Sequence, residues 1–284
     1  MDFEKIKEIL SREPKLIEIR KAKKVIFVGD THGDLDASQK VIRDYLKEGN
    51  IIVFLGDYVD RGPFSKENLE FLLETKARNP NQTRAQNNFV LGRAHKICAP
   101  IYLLQGNHEG HRILKFSPAE FWENLTKEEY TTFSTIVENM VLVFVAKNII
   151  ALHGALPDVK DLAEINKIKL GSKEWQQIVW GDFKDEPGYS LGIDPFSGRP
   201  QFGRDYFLKV MERFTRQNFA KQNLGGFNKR VLIRSHQPTA PQFMFDDRCL
   251  TIFTSSAYPR ERVIAILDFD KEVNTAKDLE IRKI

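Results

Sequence analysis

The stretch 51–62 reads Ile-Ile-Val-Phe-Leu-Gly-Asp-Tyr-Val-Asp-Arg-Gly and joins a short apolar run to a cluster of charged residues. An apolar, largely β-branched run that ends at glycine is typical of a buried strand. Three charged residues, Asp57, Asp60 and Arg61, follow at the end of that strand. Functional sites commonly lie where the strands of a parallel sheet end, so this stretch predicts both an α/β fold and the position of a site within it.

The same combination of an apolar run and a following metal-ligand residue recurs along the chain. The residues of ligand type that follow predicted strands are Asp30, His32, Asp57, Asn107, His153 and His236. Parallel strands end at a common edge of the sheet, and we therefore expect these side chains to converge. Carboxylate, imidazole and amide ligands together suit Mn, Fe or Zn better than Ca or Mg. Two such ions about 3.5–4 Å apart hold a phosphoryl group and acidify a bridging water, so the pattern indicates a two-metal hydrolase.

Helical patterns alternate with the first three predicted strands. An apolar stripe of helical period covers 35–48, and a second helix is predicted over 65–76 with Ser65 as its N-cap. This alternation predicts a parallel sheet with covering helices. The part of the chain after residue 230 is rich in strand patterns and suggests a second sheet. The predicted fold class is α/β, with two packed mixed β-sheets flanked by helices in a single domain over 1–284.

The middle of the chain carries two further local signals. Residues 116–139 are predicted to be mainly helical, and Thr126 followed by Glu129 has the pattern of a capping box. Residues 185–203 are rich in Gly and Pro and are predicted to form a loop.

Composition and charge limit the class of protein. With 284 residues, 42% hydrophobic and 29% charged, the chain is long enough for one domain with a large core. No apolar run approaches the roughly 20 residues of a membrane span, and the N-terminus lacks the apolar core of a signal peptide. The only cysteines, Cys98 and Cys249, make a disulfide framework unexpected and favour a cytoplasmic protein. The net charge of +4 forms no basic stripe, so we expect neither nucleic acid nor membrane as a partner.

The residues beside the expected ligands have roles of their own in phosphoryl chemistry. A leaving alkoxide needs a proton, and His108, next to Asn107, is the candidate general acid. Asp60 is placed to hold the tautomer of His108 and raise its pKa. Arg61 and Arg199 can grip phosphate oxygens through bidentate hydrogen bonds.

Three blocks of the sequence resemble the signature blocks of the phosphoprotein phosphatases, the serine/threonine phosphatases of the calcineurin-like metallophosphatase fold. They are Gly-Asp-Thr-His-Gly at 29–33, Gly-Asp-Tyr-Val-Asp-Arg-Gly at 56–62 and Gly-Asn-His-Glu at 106–109. The resemblance extends from about residue 24 to residue 269 and implies an α/β/β/α sandwich. Residues after Gly110 do not resemble the eukaryotic members, which favours a prokaryotic or archaeal branch.

Carried over to this sequence, the resemblance implies a role for each site residue. One metal would be bound by Asp30, His32 and Asp57, and the other by Asp57, Asn107, His153 and His236. His108 would be the acid, with Asp60 as its partner. Phosphate would be contacted by Arg61, Asn107, Arg199 and Tyr258. Tyr258 stands in 253–258, Phe-Thr-Ser-Ser-Ala-Tyr, which keeps only the Phe, one small residue and the Tyr of the family pattern.

The implied reaction is hydrolysis of phosphoserine and phosphothreonine in protein substrates. It would use two divalent metal ions, Mn first with Fe or Zn as alternatives, and a direct attack by a metal-bridging hydroxide without a phosphoenzyme. A dinucleoside polyphosphate hydrolase is the alternative enzyme. A catalytically silent metal-binding module is a third possibility, against which the retention of His108, Asp60 and both arginines argues.

One segment departs from the family pattern. Removing the 18 residues 83–100 would join Asn-Pro-Asn-Gln directly to the strand before the third block, as in the family. We interpret 83–100 as an insertion at the amino end of that strand, away from the site. The hypothesis is a mobile or adaptor loop with no part in catalysis.

Overall fold

The computed structural model describes residues 1–79, 99–221 and 231–284. The predicted insertion 83–100 lies outside the described residues except for Ala99 and Pro100, so its role stays a prediction. The Pro100 carbonyl accepts a hydrogen bond from the Ile52 N–H at 3.1 Å, immediately before the chain enters its next strand.

Helices and strands alternate through the first third of the chain and strands dominate its end, as the sequence predicts. The helices are α1 (Phe3–Ser11), α2 (Leu35–Tyr45), α3 (Ser65–Arg78), α4 (Glu120–Glu123), α5 (Lys127–Val137), α6 (Lys173–Trp180) and α7 (Arg204–Lys221). The first strands are β1 (Leu16–Ile19), β2 (Lys24–Val28), β3 (Asn50–Phe54), β4 (Ile101–Leu103), β5 (Val143–Ala146), β6 (Ile149–Ala151) and β7 (Asp182–Phe183). The later strands are β8 (Ser190–Ile193), β9 (Pro200–Phe202), β10 (Val231–Arg234), β11 (Phe243–Met244), β12 (Cys249–Thr251), β13 (Val263–Asp268) and β14 (Glu280–Lys283).

Two large mixed sheets form the centre of the molecule. The first has the order β14-β13-β2-β3-β4, in which β2, β3 and β4 are parallel and β13 is antiparallel to β2. The second has the order β1-β5-β6-β10-β12-β11, in which β10 runs parallel to both β6 and β12. The prediction of two mixed sheets is confirmed.

The central strands of the two large sheets are buried on both faces because each sheet lies between its partner sheet and a layer of helices. Along β2, Val25 and Phe27 pack between the two sheets, whereas Ile26 and Val28 pack against helices. This alternation follows from the two-residue period of a strand. Helices α1, α2, α3 and α5 cover the first sheet, and α6 and α7 cover the second. The layers therefore follow the order α/β/β/α.

Two local predictions need correction. The segment 185–203 is not wholly loop, because β8 and β9 pair as an antiparallel hairpin and β9 also pairs with β7 in a small third sheet. Its glycines serve the hairpin: the register shifts between Ser190 and Gly192, and Gly192 has φ +88°. Ser65 is the first residue of α3 rather than its N-cap, since its hydroxyl accepts the Asp60 N–H at 2.9 Å. The capping box of Thr126 and Glu129 is confirmed.

Strands β2, β3 and β4 of one sheet and β6 and β10 of the other end at the same rim of the molecule. Backbone bonds tie the loops of this rim together: the Thr31 and His32 N–H groups both donate to the Asp57 carbonyl, at 3.1 and 2.9 Å. Within the described residues, no helix is both long and apolar enough to cross a membrane.

Candidate metal centre and active site

The rim brings all six predicted metal ligands together. Asp30 and His32 follow β2, Asp57 follows β3, Asn107 follows β4, His153 follows β6 and His236 follows β10. Each is at most 2% exposed. Burial of this many polar and charged groups is costly unless they are hydrogen-bonded, paired with one another or bound to a metal.

Asp57 lies at the centre of the cluster. Its Oδ2 is 3.7 Å from His32 Nε2, 3.8 Å from His108 Nε2 and 3.3 Å from His153 Nε2. The carboxylate is therefore shared by two groups of potential ligands, one containing His32 and His108 and the other containing His153 and His236. This is the position that the sequence predicts for a bridging carboxylate.

The second group closes around His153. Its Nε2 is 3.2 Å from Asn107 Oδ1 and 3.1 Å from His236 Nδ1. Asp30 stands between the groups, with Oδ2 at 3.7 Å from His32 Nε2 and Oδ1 at 3.5 Å from His153 Nδ1. Atoms that bind one ion at about 2.0–2.2 Å lie at such distances from one another.

Backbone carbonyls fix the orientation of two of the imidazoles. His32 Nδ1 donates to the Val59 carbonyl at 2.8 Å, and His153 Nδ1 donates to the Leu55 carbonyl at 3.0 Å. With Nδ1 as the donor, Nε2 of each ring presents its lone pair to the centre. An outer hydrogen bond that sets the tautomer in this way is typical of metal-binding histidines.

The charges of the cluster fit a cation as its partner. Burial raises the pKa of Asp30 to about 7, against the opposing effect of His153. Burial also acts to raise the pKa of Asp57, but His153 and His108 hold it well below its usual value. Nε2 of His236 is buried and has no hydrogen-bond partner among the described residues. A carboxylate-rich, solvent-excluded pocket with oriented imidazoles suits divalent metal ions.

His108 has a different partner from Asn107, the predicted ligand that precedes it: Asn107 contacts His153, whereas His108 contacts Asp60. Its Nδ1 is bonded to Asp60 Oδ2, which leaves Nε2 directed at Asp57. Burial lowers the pKa of His108, but the carboxylates of Asp57 and Asp60 together raise it above its usual value. The protonated imidazole is thus favoured at a position from which it can reach the centre.

Several residues of the site have left-handed backbone conformations that are rare outside glycine. The φ angles are +42° at His32, +53° at Asp57, +66° at Asp60, +70° at Arg61 and +70° at His236. Such conformations cost of order 1–3 kcal/mol each and persist where the surroundings enforce them. No feature of the sequence predicts them.

Glycine is required beside Asp57. A Cβ on Gly106 would lie 2.2 Å from Asp57 Oδ1 and 2.6 Å from the Asp57 nitrogen. The absence of a side chain at Gly106 therefore allows the turn after β4 to approach the Asp57 carboxylate.

The predicted phosphate contacts lie on two sides of the centre. Arg61 Nη1 donates to Glu120 at 3.2 Å and to the Pro118 carbonyl at 3.1 Å. On the other side, Arg199 Nη1 is 3.8 Å from Asp182 Oδ1, which is itself 3.5 Å from His236 Nε2.

Tyr258 also belongs to the site. Its ring meets the His32 ring edge-on with centroids 5.5 Å apart, and it packs against Phe253 at 5.7 Å. Burial, with Asp30 and Asp57, raises the pKa of Tyr258 to about 12, which Arg61 opposes. The hydroxyl stays protonated and can donate a hydrogen bond.

Glu109 has a role that the sequence analysis did not assign. Its carboxylate accepts the N–H groups of Asp57 at 2.8 Å, Tyr58 at 2.9 Å and Gly106 at 2.9 Å. Burial and the nearby Asp57 raise its pKa to about 7. The position of Glu109 in the third block indicated that it belongs near the site. Its hydrogen-bond partners are backbone N–H groups, which cannot be identified from a sequence.

Arg234 is a second residue that was missed. It is fully buried, and its guanidinium donates to the carbonyls of Gly154 at 2.6 Å and Gly181 at 3.1 Å and to Gln237 Oε1 at 2.8 Å. These bonds join the loops that carry His153 and His236. A charged residue at the end of an apolar strand is the sequence feature that could have indicated this buried role.

Comparison with known proteins finds a family and relatives in agreement with this geometry. The model of the calcineurin-like phosphoesterase family matches residues 23–238. The chain is 27% identical over 270 residues to human serine/threonine-protein phosphatase 5, covering 89% of this chain and 47% of that protein. It is 26% identical over 274 residues to serine/threonine-protein phosphatase T of Aspergillus oryzae, covering 89% of this chain and 50% of that protein. The chain thus spans about half the length of these relatives.

Solved structures agree on the fold. A serine/threonine phosphatase from Saccharomyces cerevisiae, described as similar to human phosphatase 5, superposes with a TM-score of 0.73 at 20% identity, over 99% of this chain and 86% of that one. A putative diadenosine tetraphosphatase superposes with a TM-score of 0.50 at 13% identity, over 89% of this chain and 93% of that one.

Proposed function

The chain belongs to the calcineurin-like phosphoesterase family, and from this we propose that it is a metal-dependent serine/threonine protein phosphatase. The reaction is removal of phosphate from phosphoserine and phosphothreonine in proteins. One observation carries the proposal: His108, bonded to Asp60 through Nδ1, directs Nε2 at the Asp57 carboxylate that both candidate metal groups share, at 3.8 Å. A proton donor beside a dinuclear centre suits hydrolysis of a phosphomonoester.

The metal set that we propose is the one that the sequence predicts. Asp30, His32 and Asp57 hold one ion, and Asp57, Asn107, His153 and His236 hold the other. Two divalent ions, when bound, supply Lewis acidity and lower the pKa of a water molecule. Mn²⁺ is our first choice, with Fe or Zn²⁺ as alternatives, because the ligands are carboxylate, imidazole and amide groups.

The remaining side chains orient the substrate and move one proton. Arg61 and Arg199 bind phosphate oxygens from opposite sides, and Asn107 and Tyr258 add hydrogen-bond donors. His108 protonates the serine or threonine oxygen as it leaves. Asp60 keeps the Nδ1–H of His108 in place so that Nε2 carries the transferred proton.

The substrates and the setting are further parts of the proposal. The curated relatives are named serine/threonine-protein phosphatases, which supports phosphorylated proteins as the substrates. The occurrence of only two cysteines in 284 residues supports a cytoplasmic setting.

The decisive experiment compares two substrates on one preparation. The purified chain is loaded with Mn²⁺, Fe²⁺ or Zn²⁺, its metal content is measured, and turnover is followed on a phosphoserine peptide and on diadenosine tetraphosphate. We expect two metal ions per chain and turnover of the peptide. Preference for the dinucleotide would favour the alternative enzyme. Bound metal without turnover of any phosphoester would favour a silent module.

A further inference from the structure

One short segment, 118–122, touches both the candidate acid and its partner. The backbone N–H of Phe121 donates to Asp60 Oδ1 at 2.7 Å. The indole N–H of Trp122 donates to the His108 carbonyl at 2.8 Å. Phe121 and Trp122 are themselves buried. The segment is thereby fixed to the site through groups other than its exposed carboxylate, Glu120.

Glu120 extends this attachment to Arg61. Nη1 of Arg61 is 3.2 Å from Glu120 Oε1, 3.3 Å from Oε2 and 3.1 Å from the Pro118 carbonyl. All three contacts use the same nitrogen. The positive φ of Arg61, +70°, already fixes the direction in which its side chain leaves the backbone.

The Arg61 guanidinium also reaches the centre of the site, because a hydrogen bond between it and Tyr258 opposes the rise in the pKa of that tyrosine. Burial raises the pKa of Tyr258, and the positive charge of Arg61 also opposes this rise. Burial lowers the pKa of His32, and the charge of Arg61 lowers it further. Arg61 therefore acts on groups at the centre of the site. A guanidinium carries five N–H donors in a rigid fork, and bidentate contact with phosphate needs only one edge of it. Nη1 can stay on Glu120 while Nε and Nη2 face a substrate.

We propose that Glu120 is a positioning residue for Arg61, which anchors the Nη1 corner of the guanidinium and presents its other edge to the substrate phosphate. The inference rests on the proposed function, since it takes phosphate as the ligand of Arg61. Glu120 touches no reacting atom, and its effect is on the affinity for phosphate.

The contact geometry indicates that Glu120 anchors Arg61 and does not compete with phosphate for it. A competing carboxylate would take two donors of the guanidinium in a fork-to-fork contact, whereas both oxygens of Glu120 meet a single nitrogen. The Pro118 carbonyl shares that nitrogen and would remain if Glu120 were lost. An anchored side chain loses less rotamer freedom when phosphate binds.

The test is a set of variants of the full chain loaded with Mn²⁺. For Glu120→Gln we expect the KM for p-nitrophenyl phosphate and the inhibition constant of inorganic phosphate to rise together by about two- to fivefold, the span expected for an exposed ion pair. We expect kcat to change by less than a factor of two. This division between KM and kcat separates positioning from a general loss of structure.

The matched control is Glu123→Gln, which makes the same change of charge on the same helix. Glu123 bonds to Ser117 and the Ala119 N–H and does not contact Arg61. Its KM and phosphate affinity should stay at the wild-type values. In an Arg61→Ala background, Glu120→Gln should have no further effect on phosphate affinity.

Calorimetric titration with inorganic phosphate keeps this inference distinct from the proposed function. It measures the affinity of wild type and Glu120→Gln whether or not either protein turns over a phosphoester. An inactive wild type would overturn the proposed function alone if Glu120→Gln still weakened phosphate binding. Three results would overturn the anchor. The first is unchanged or tighter phosphate binding in Glu120→Gln, and the second is an absence of phosphate binding by wild type. The third is an equal loss of phosphate affinity from Glu120→Gln in the Arg61→Ala background.

Discussion

The carboxylate of Glu109 is hydrogen-bonded to the backbone N–H of Asp57 at 2.8 Å, and so fixes the turn that carries the central carboxylate of the site. It also accepts the N–H of Tyr58 and Gly106. One buried anion thus joins the turn after β3 to the turn after β4. A side chain with no predicted role in the chemistry determines where Asp57, the proposed bridging ligand, lies.

The first prediction concerns this carboxylate. Glu109→Gln replaces one acceptor oxygen with an NH₂ group that faces an N–H donor, so at least one buried N–H loses its partner. We expect a loss of about 1–3 kcal/mol in the free energy of unfolding, together with weaker metal binding. Urea unfolding and metal analysis measure the two effects. The control Glu128→Gln, on the exposed face of α5, should stay within about 0.5 kcal/mol of wild type. Equal stability of the two variants would contradict the prediction.

The second prediction separates the acid from the ligands. His108→Asn should lower kcat by roughly 10²- to 10⁴-fold, the contribution of general acid catalysis, while the metal content is kept. Asp57→Asn is the comparison, because loss of the shared carboxylate should remove metal as well as activity. Metal analysis of both variants decides between the roles. If His108→Asn loses metal as Asp57→Asn does, His108 is a ligand, as its place in a group with His32 and Asp57 also allows.

The third prediction is a shift in pH dependence. Asp57 and Asp60 raise the pKa of His108 against the effect of burial. The acid must be protonated to act, so kcat falls as pH rises through this pKa. Asp60→Asn removes one of the negative charges that raise it, and the alkaline limb of the kcat profile should move to lower pH. The profile is measured on a peptide substrate with metal content held equal. An unmoved limb would show that Asp60 does not act through the protonation of His108.

The convergence of the proposed metal ligands could be predicted from sequence because of one regularity. Parallel strands end on one edge, so Asp30, Asp57 and Asn107 had to meet wherever their helices lay. His153 and His236 also follow predicted strands and were expected at the same edge, and they come from strands β6 and β10 of the second sheet. The order of the layers was implied by the resemblance to the metallophosphatases, whereas the alternation of strands and helices by itself predicted a sheet with covering helices.

The features that escaped prediction depend on backbone geometry or on partners distant in sequence. Gly and Pro are common to loops and to bulged hairpins, so β8 and β9 could not be told from a loop. Ser65 has the identity of an N-cap, yet its hydroxyl is bonded to the Asp60 N–H. The contact of Glu120 with Arg61 joins residues 59 positions apart in the sequence.

The last prediction concerns stability away from the site. Lys76 on α3 is fully buried, and its Nζ donates to Glu13 at 2.5 Å and to the Ile101 carbonyl at 2.6 Å. Loss of one partner of a buried ion pair is strongly destabilising, so Lys76→Met, which removes the cation beside Glu13 and the donor to the Ile101 carbonyl, should lower the free energy of unfolding by about 3–5 kcal/mol. Lys66→Met is the matched control, because Lys66 lies on the same helix and pairs with Glu129 at the surface. That variant should lose at most about 1 kcal/mol. Urea unfolding of the two proteins measures the difference, and equal losses would mean that burial adds nothing to the Glu13–Lys76 pair.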